Sequence, residues 1–190
     1  MSYLNKVESE ARISKVKDIL RNKNLDAALV YYDEFNIGNG WYLTGWCPQF
    51  ESGAVLIPQT GKSLILGGPE SEPFAKMDST ITETRNFPVF MVPDEEYPNA
   101  TIIDFPQLFS ELNTEIGSVK RIGLVGSGRM PVDCYQQIIE GFKGVELVDI
   151  TSDFLQLRVG KSAWERQQIR SAFELADFAY DAMKSMVKPG

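Results

Sequence analysis

Residues 25–32 read LDAALVYY, an apolar run short enough to be a strand and too continuous to face water on one side. A strand of that kind must be covered on both faces, so the chain has to supply layers above and below it. Further short apolar runs follow: GAVLIP at 53–58, SLILGG at 63–68, FPVFMVP at 87–93, RIGLVG at 121–126 and VELVDI at 145–150. The first two of these are separated by QTGK, which predicts a hairpin with Gly61 in its turn. Between the runs lie helical patterns. Residues 7–21 place Val7, Ala11, Ile13, Val16, Ile19 and Leu20 at near-helical spacing among charges, and asparagines end the pattern. PESEPFAKM from Pro69 carries helix-start chemistry, DFPQLFSEL from Asp104 reads as a helix, and MPVDCYQQIIEGF from Met130 has Pro131 near its first turn. The stretch 33–40, DEFNIGNG, reads as a break. Alternation of this kind, with one hairpin in it, predicts an α/β fold: a mixed sheet flanked by helices.

The last segment differs in kind. Ser162 followed by Glu165 is a capping box, in which the hydroxyl takes the backbone N–H three residues on and the carboxylate returns to the N–H of Ser162. From there Ile169, Phe173, Ala176, Tyr180, Met183 and Val187 recur at steps of four and three, an apolar stripe along one long C-terminal helix that Pro189 and Gly190 are expected to stop. That stripe needs a surface to bury against, in another domain or another copy of the chain.

Composition then removes function classes. With 26 acidic against 19 basic residues the net charge is -7, which repels phosphate backbones and anionic lipid, so no nucleic-acid or membrane partner is expected. No apolar run approaches the roughly 18 residues that span a bilayer, and MSYLNKVESEARI lacks a signal-peptide centre, which points to a cytoplasmic protein. Two cysteines, Cys47 and Cys134, fit small buried side chains better than a bridge. The chain has no histidine at all, which excludes Ser-His and Cys-His nucleophile pairs and His-ligated zinc. An all-carboxylate magnesium site would survive that test, but the acids read as scattered surface positions. No residue is therefore assigned as catalytic or as a metal ligand.

Two stretches remain as binding candidates. Residues 123–131, GLVGSGRMP, resemble a glycine-rich turn between strand and helix that could cradle a phosphate. The spacing is not that of a dinucleotide or nucleotide loop and Pro131 lacks an N–H, so a plain tight turn is preferred; a free-standing small-ligand or phosphate-binding α/β module is the alternative. Residues 39–50, NGWYLTGWCPQF, are dense in aromatics. Tyr42 and Leu43 are expected to anchor this surface loop in the core, while Trp46, Pro48, Phe50 and Glu51 either pack down or form a wall that a ligand or partner meets.

YLTG followed by an aromatic, Tyr42 to Trp46, together with Arg158, Lys161, Ser162 and Glu165 in an R-x-x-K-S-x-x-E pattern, resembles the amino-terminal half of the creatinase and Xaa-Pro peptidase family. The order of first helix, DAALV, YLTG, hairpin, RIGLVG and a linker into a long helix extends the resemblance over essentially the whole chain. It implies an N-terminal domain at residues 1–158, of the creatinase/prolidase type, then at 159–190 a linker and the first helix of a truncated pita-bread catalytic domain. In such proteins that catalytic domain holds two divalent metals, manganese, cobalt or zinc, through Asp, His and Glu; this chain stops before any such ligand, so no cofactor is expected within it. The implied function is non-catalytic: shaping substrate access and subunit contacts in a Xaa-Pro dipeptidase or aminopeptidase (prolidase, aminopeptidase P), with the chain's own catalytic domain as partner and a homo-oligomer, a dimer, as the assembly. Trp46, Pro48, Phe50 and Glu51 are the substrate-access candidates. Creatinases supply an arginine from this region, and none lies between Thr44 and Lys62, which weighs against a creatinase-like amidinohydrolase.

Overall fold

The computed structural model describes residues 4–188, which separate into two compact units divided between Leu157 and Arg158. The first is built on a six-stranded sheet of β1 (Ala27–Tyr32), β2 (Gly53–Pro58), β3 (Leu64–Gly67), β4 (Thr84–Asn86), β5 (Arg121–Val125) and β6 (Glu146–Asp149), in the order β4-β3-β2-β1-β5-β6. β1 pairs antiparallel with β2 and parallel with β5; β2–β3 is the antiparallel hairpin, and β3–β4 and β5–β6 are parallel. The mixed sheet that the apolar alternation predicts is thus present.

Every residue of β1 and of β2 is buried, because consecutive side chains enter opposite cores. Leu29, Tyr31, Leu56, Leu66 and Leu124 share one core with α4 (Phe105–Ile116) and α5 (Val132–Gly141). Val30, Tyr32, Val55, Ile57 and Val125 share the other with α1 (Lys6–Lys23), α2 (Ile37–Thr44) and α6 (Thr151–Leu157). Asn5 starts α1 by accepting the Glu8 N–H at 2.7 Å, and Asn24 ends it with φ 54°. α3 (Glu72–Asp78) follows β3 and contributes the buried Ala75.

Two expectations are corrected. Residues 33–36 break the strand, β1 ending at Tyr32, but 37–40 do not continue the break, since α2 begins at Ile37 and buries Asn39, Gly40, Tyr42, Leu43 and Thr44. The strand expected at 87–93 is not formed. The ladder lies earlier, at the polar Thr84–Asn86, and Pro88–Phe90 is a 3-10 turn. Pro88 has no N–H to give a ladder, and the apolar residues are drawn into an aromatic cluster instead, with Phe87 and Phe105 ring centres 4.7 Å apart. β4 tolerates its polar side chains because it lies at the sheet edge, where Arg85 pairs with Glu111 and Thr84 with Glu72. In addition, α6 is a further helix inside the domain expected at 1–158, one that the sequence patterns did not mark, anchored by the buried Phe154.

In the second unit, Ser162 starts α7 (Ala163–Met186) with both bonds of the capping box: Ser162 Oγ accepts the Glu165 N–H at 3.1 Å, and Glu165 Oε2 accepts the Ser162 N–H at 2.7 Å. The helix ends at Met186, with the Val187 N–H donating to the Lys184 carbonyl; Pro189 and Gly190 lie outside the described residues. No residue of α7 is buried. Besides Ile169, Phe173, Tyr180 and Met183, it exposes Leu175, Phe178 and Met186; at about 100° per residue Phe178 falls opposite that stripe while Leu175 and Met186 fall on its flank. The helix therefore carries apolar residues well beyond the single stripe. Among the described residues, no helix is long and apolar enough to cross a membrane.

Candidate functional site

The YLTG motif closes a corner at one end of the sheet. Asn39 donates from Nδ2 to the Tyr31 carbonyl at 2.9 Å, fastening α2 to the end of β1, and Asp33 Oδ1 accepts both the N–H and Nδ2 of Asn36 before the helix starts. Tyr42 meets Phe154 edge-on at 5.8 Å and lies under the Arg12 guanidinium at 4.6 Å. Leu43 is fully buried. Thr44 then turns the chain: Oγ1 lies 2.9 Å from the Gly40 carbonyl and 2.6 Å from the Trp46 carbonyl as donor, and accepts the Trp46 N–H at 2.9 Å. Gly45 takes φ 68°, a conformation open to glycine and strained for other residues. Tyr42 and Leu43 thus anchor the corner, Thr44 clamps it through its hydroxyl, and Gly45 makes the left-handed turn.

Past the corner the candidates separate. Trp46 is buried at 8% exposure, in the same core as Tyr42 and Cys47, and Pro48 is buried beside it. Gly40 makes room for them, since a Cβ there would press on Cys47 Sγ at 2.9 Å and the Trp46 carbonyl at 3.2 Å. Phe50 is 84% exposed, and Glu51 is half-buried, its Oε2 accepting the Phe50 N–H at 3.3 Å. The structure therefore brings Trp46 and Pro48 into the scaffold and leaves Phe50 and Glu51 at the surface.

Around them lies an acidic rim. At the end of the sheet where β1, β3 and β4 stop and β2 starts, segments 33–36, 45–52, 68–71 and 87–99 emerge together. They carry Asp33, Glu34, Glu51, Glu70, Asp94, Glu95 and Glu96 and no lysine or arginine, while Arg129, on the connection after β5, which stops at the same end, lies over Phe35. The electrostatic effect is visible on the groups behind the rim. Burial first and Asp33 second push Tyr31 up; burial, then Cys47 and Glu51, push Tyr32 up. The Cys47 thiol is raised to about 12 by burial, with Asp33 and Glu51 adding to it, and Cys134 likewise to about 12 by burial and Asp133. Neither thiol is a nucleophile at neutral pH. Sequence reading did not single out Asp33, Glu70 or Glu95, because they sit on separate connections that only the strand order joins.

The glycine-rich turn has little to offer an anion. The Gly126 N–H goes to Thr151 Oγ1 at 3.0 Å, the Arg129 N–H to the Gly126 carbonyl and the Met130 N–H to the Ser127 carbonyl, while the Arg129 guanidinium covers the Phe35 ring at 5.3 Å. Among the described residues no three His, Cys, Asp or Glu side chains converge to hold a metal ion. What this end of the sheet can do is present an aromatic and a negative edge to something else.

A family model described as the creatinase/prolidase N-terminal domain matches residues 12–159. An uncharacterized peptidase of Staphylococcus aureus is 29% identical over 183 residues, covering 94% of this chain and 45% of that protein. An X-Pro aminopeptidase of Thermotoga maritima superposes with TM-score 0.71 at 18% identity, over 94% of this chain and 44% of its own. A Xaa-Pro dipeptidase of Bacillus anthracis does so with TM-score 0.66 at 16% identity, over 96% of this chain and 44% of its own. The chain thus spans less than half the length of these relatives, and the two solved structures share its fold.

Proposed function

The chain belongs to the creatinase/prolidase N-terminal domain family, and from that premise we propose that it is the non-catalytic, access-shaping domain of a Xaa-Pro dipeptidase or aminopeptidase. Residues 1–158 form that domain and 159–190 are the linker and first helix of a pita-bread catalytic domain, which is its partner. α7 supports this assignment: a helix whose exposed apolar residues extend beyond one face is suited to the interior of a larger body. Metal chemistry belongs to the partner domain, with manganese, cobalt or zinc as the expected ions. The residues here do not fit such a group, since the chain has no histidine and the described acids form no ligand cluster.

The observation that carries the reading is the split at the YLTG corner, where Trp46 and Pro48 are held in the core while Phe50, four residues beyond Trp46, stands 84% exposed. A rigid base with a projecting ring is what a wall beside a substrate channel requires. The domain also contributes to subunit contacts in a homo-oligomer of a cytoplasmic enzyme. In a polypeptide carrying both this chain and its catalytic domain, Phe50→Ala is expected to raise KM for Xaa-Pro peptides several-fold with kcat little changed, while these 190 residues alone show no Xaa-Pro hydrolysis in excess manganese. Unaltered KM and length preference in Phe50→Ala would remove Phe50 from the channel, and turnover by the chain alone would overturn the non-catalytic assignment.

A further inference from the structure

The turn after β3, Gly68-Pro69-Glu70, holds a carboxyl group in an unusual seat. Glu70 Oε1 accepts the Val92 N–H at 3.2 Å, which ties the end of β3 to the segment 91–100. Its Oε2 is closed off from solvent and has no hydrogen-bond donor. Gly68 leaves the space that this carboxyl fills, since a side chain there would collide with both oxygens. The charged groups whose field reaches it are Glu51, from the segment before β2, and Glu95, from the segment 91–100; both are carboxylates. Tyr97, on the same segment, is occupied by a hydrogen bond to Glu95. On Glu70's own side of the turn, Lys76 is paired with Glu72 at 2.8 Å. An ionised carboxylate is stable when donors meet both oxygens or a cation stands near it; here the backbone N–H groups of Glu70 itself and of Val92 favour the anion, but Oε2 has no donor and two like charges oppose it.

We propose that Glu70 is a proton-dependent latch that holds the segment 91–100 against the end of β3 when neutral and lets it go as it ionises. Burial, reinforced by Glu51 and Glu95, raises the pKa of Glu70 above its ordinary 4.5 in spite of its own backbone N–H and that of Val92, which favour the anion. The latched form therefore binds the proton more readily than a released one whose carboxyl is back in water. Latching is strongest in acid and weakens as pH climbs from the ordinary value through the raised one. Because Val92 through Glu95 border the same rim as Phe50, the latch would govern how open that rim is as pH rises above the ordinary carboxyl range.

The test is amide hydrogen exchange at Val92 and its neighbours in the 190-residue chain, corrected for intrinsic exchange, together with a carbon-13 titration of the Glu70 carboxyl. Glu70 is expected to titrate above the exposed carboxylates, and Val92 protection to fall about tenfold for each unit of that displacement. Glu70→Gln, locked in a neutral form, should keep Val92 protected across the range; Glu95→Gln should bring the midpoint back toward the ordinary value and shrink the fall. Ordinary titration of Glu70, pH-independent protection in the unaltered chain, or the same pH dependence surviving in Glu70→Gln would each overturn the proposal.

Discussion

Thr44→Val keeps the volume of a side chain that is 1% exposed and removes its hydroxyl. That hydroxyl accepts the Trp46 N–H and donates its one proton to the Gly40 or the Trp46 carbonyl. Valine strands a buried N–H, at about 1–3 kcal/mol, and deletes a donated bond worth about 1 kcal/mol more, so the expected loss is about 3 kcal/mol. For a domain of this size that is a fall of roughly 6–12 °C in Tm. Thr44→Ser is the control: it keeps the hydroxyl and loses one buried methyl, about 1 kcal/mol. Urea unfolding followed by circular dichroism should show the midpoint of Thr44→Val well below that of Thr44→Ser, with the slope unchanged, and amide exchange at Trp46 should accelerate only in the valine variant. A valine variant as stable as the serine variant would refute the clamp, and with it the explanation of why the chain after Gly45 holds a fixed course.

Burial first and the nearby carboxylates second raise both thiols to about 12; at pH 8, iodoacetamide is therefore expected to label neither Cys47 nor Cys134 until the chain unfolds, and labelling of the folded chain at the rate of a free thiol would contradict this packing. Burial pushes Glu72 up, but hydrogen bonds from Lys76, Thr84 and Asn86 outweigh it and hold the carboxyl at about 2. A lowered carboxyl adds stability that is complete above its unfolded value near 4.5 and drains away as pH falls toward about 2. Glu72→Gln should therefore flatten the dependence of the urea midpoint on pH over that window, and superimposable acid limbs would show that these bonds are not made.

The candidate site was legible in part. YLTG, Ser162 and Glu165 are local patterns whose bonds close within three or four residues, so they can be read from the chain and reappear as the corner and the capping box. β4 was not legible, because TRN has neither apolar content nor alternation; it is a strand only because β3 offers it an edge and Glu72 and Glu111 receive its side chains. FPVF misled for the converse reason, since aromatic residues that look like a strand are buried as well by a short turn that packs them on Phe105. α2 hid behind two glycines, one of which is there to admit Cys47 and Trp46 rather than to break a helix.

By itself the sequence determined that this chain forms a two-faced mixed sheet with a capped helix after it, because hydrophobic period and capping chemistry act over a few residues and need no partner to be recognised. Tertiary structure alone decided which aromatic of residues 46–50 lies inside and which outside, and that Asp33, Glu51, Glu70 and Glu95 share one rim. The reason is physical: strand order brings together connections far apart in the chain, and burial of a ring or a charge depends on what those distant segments place around it.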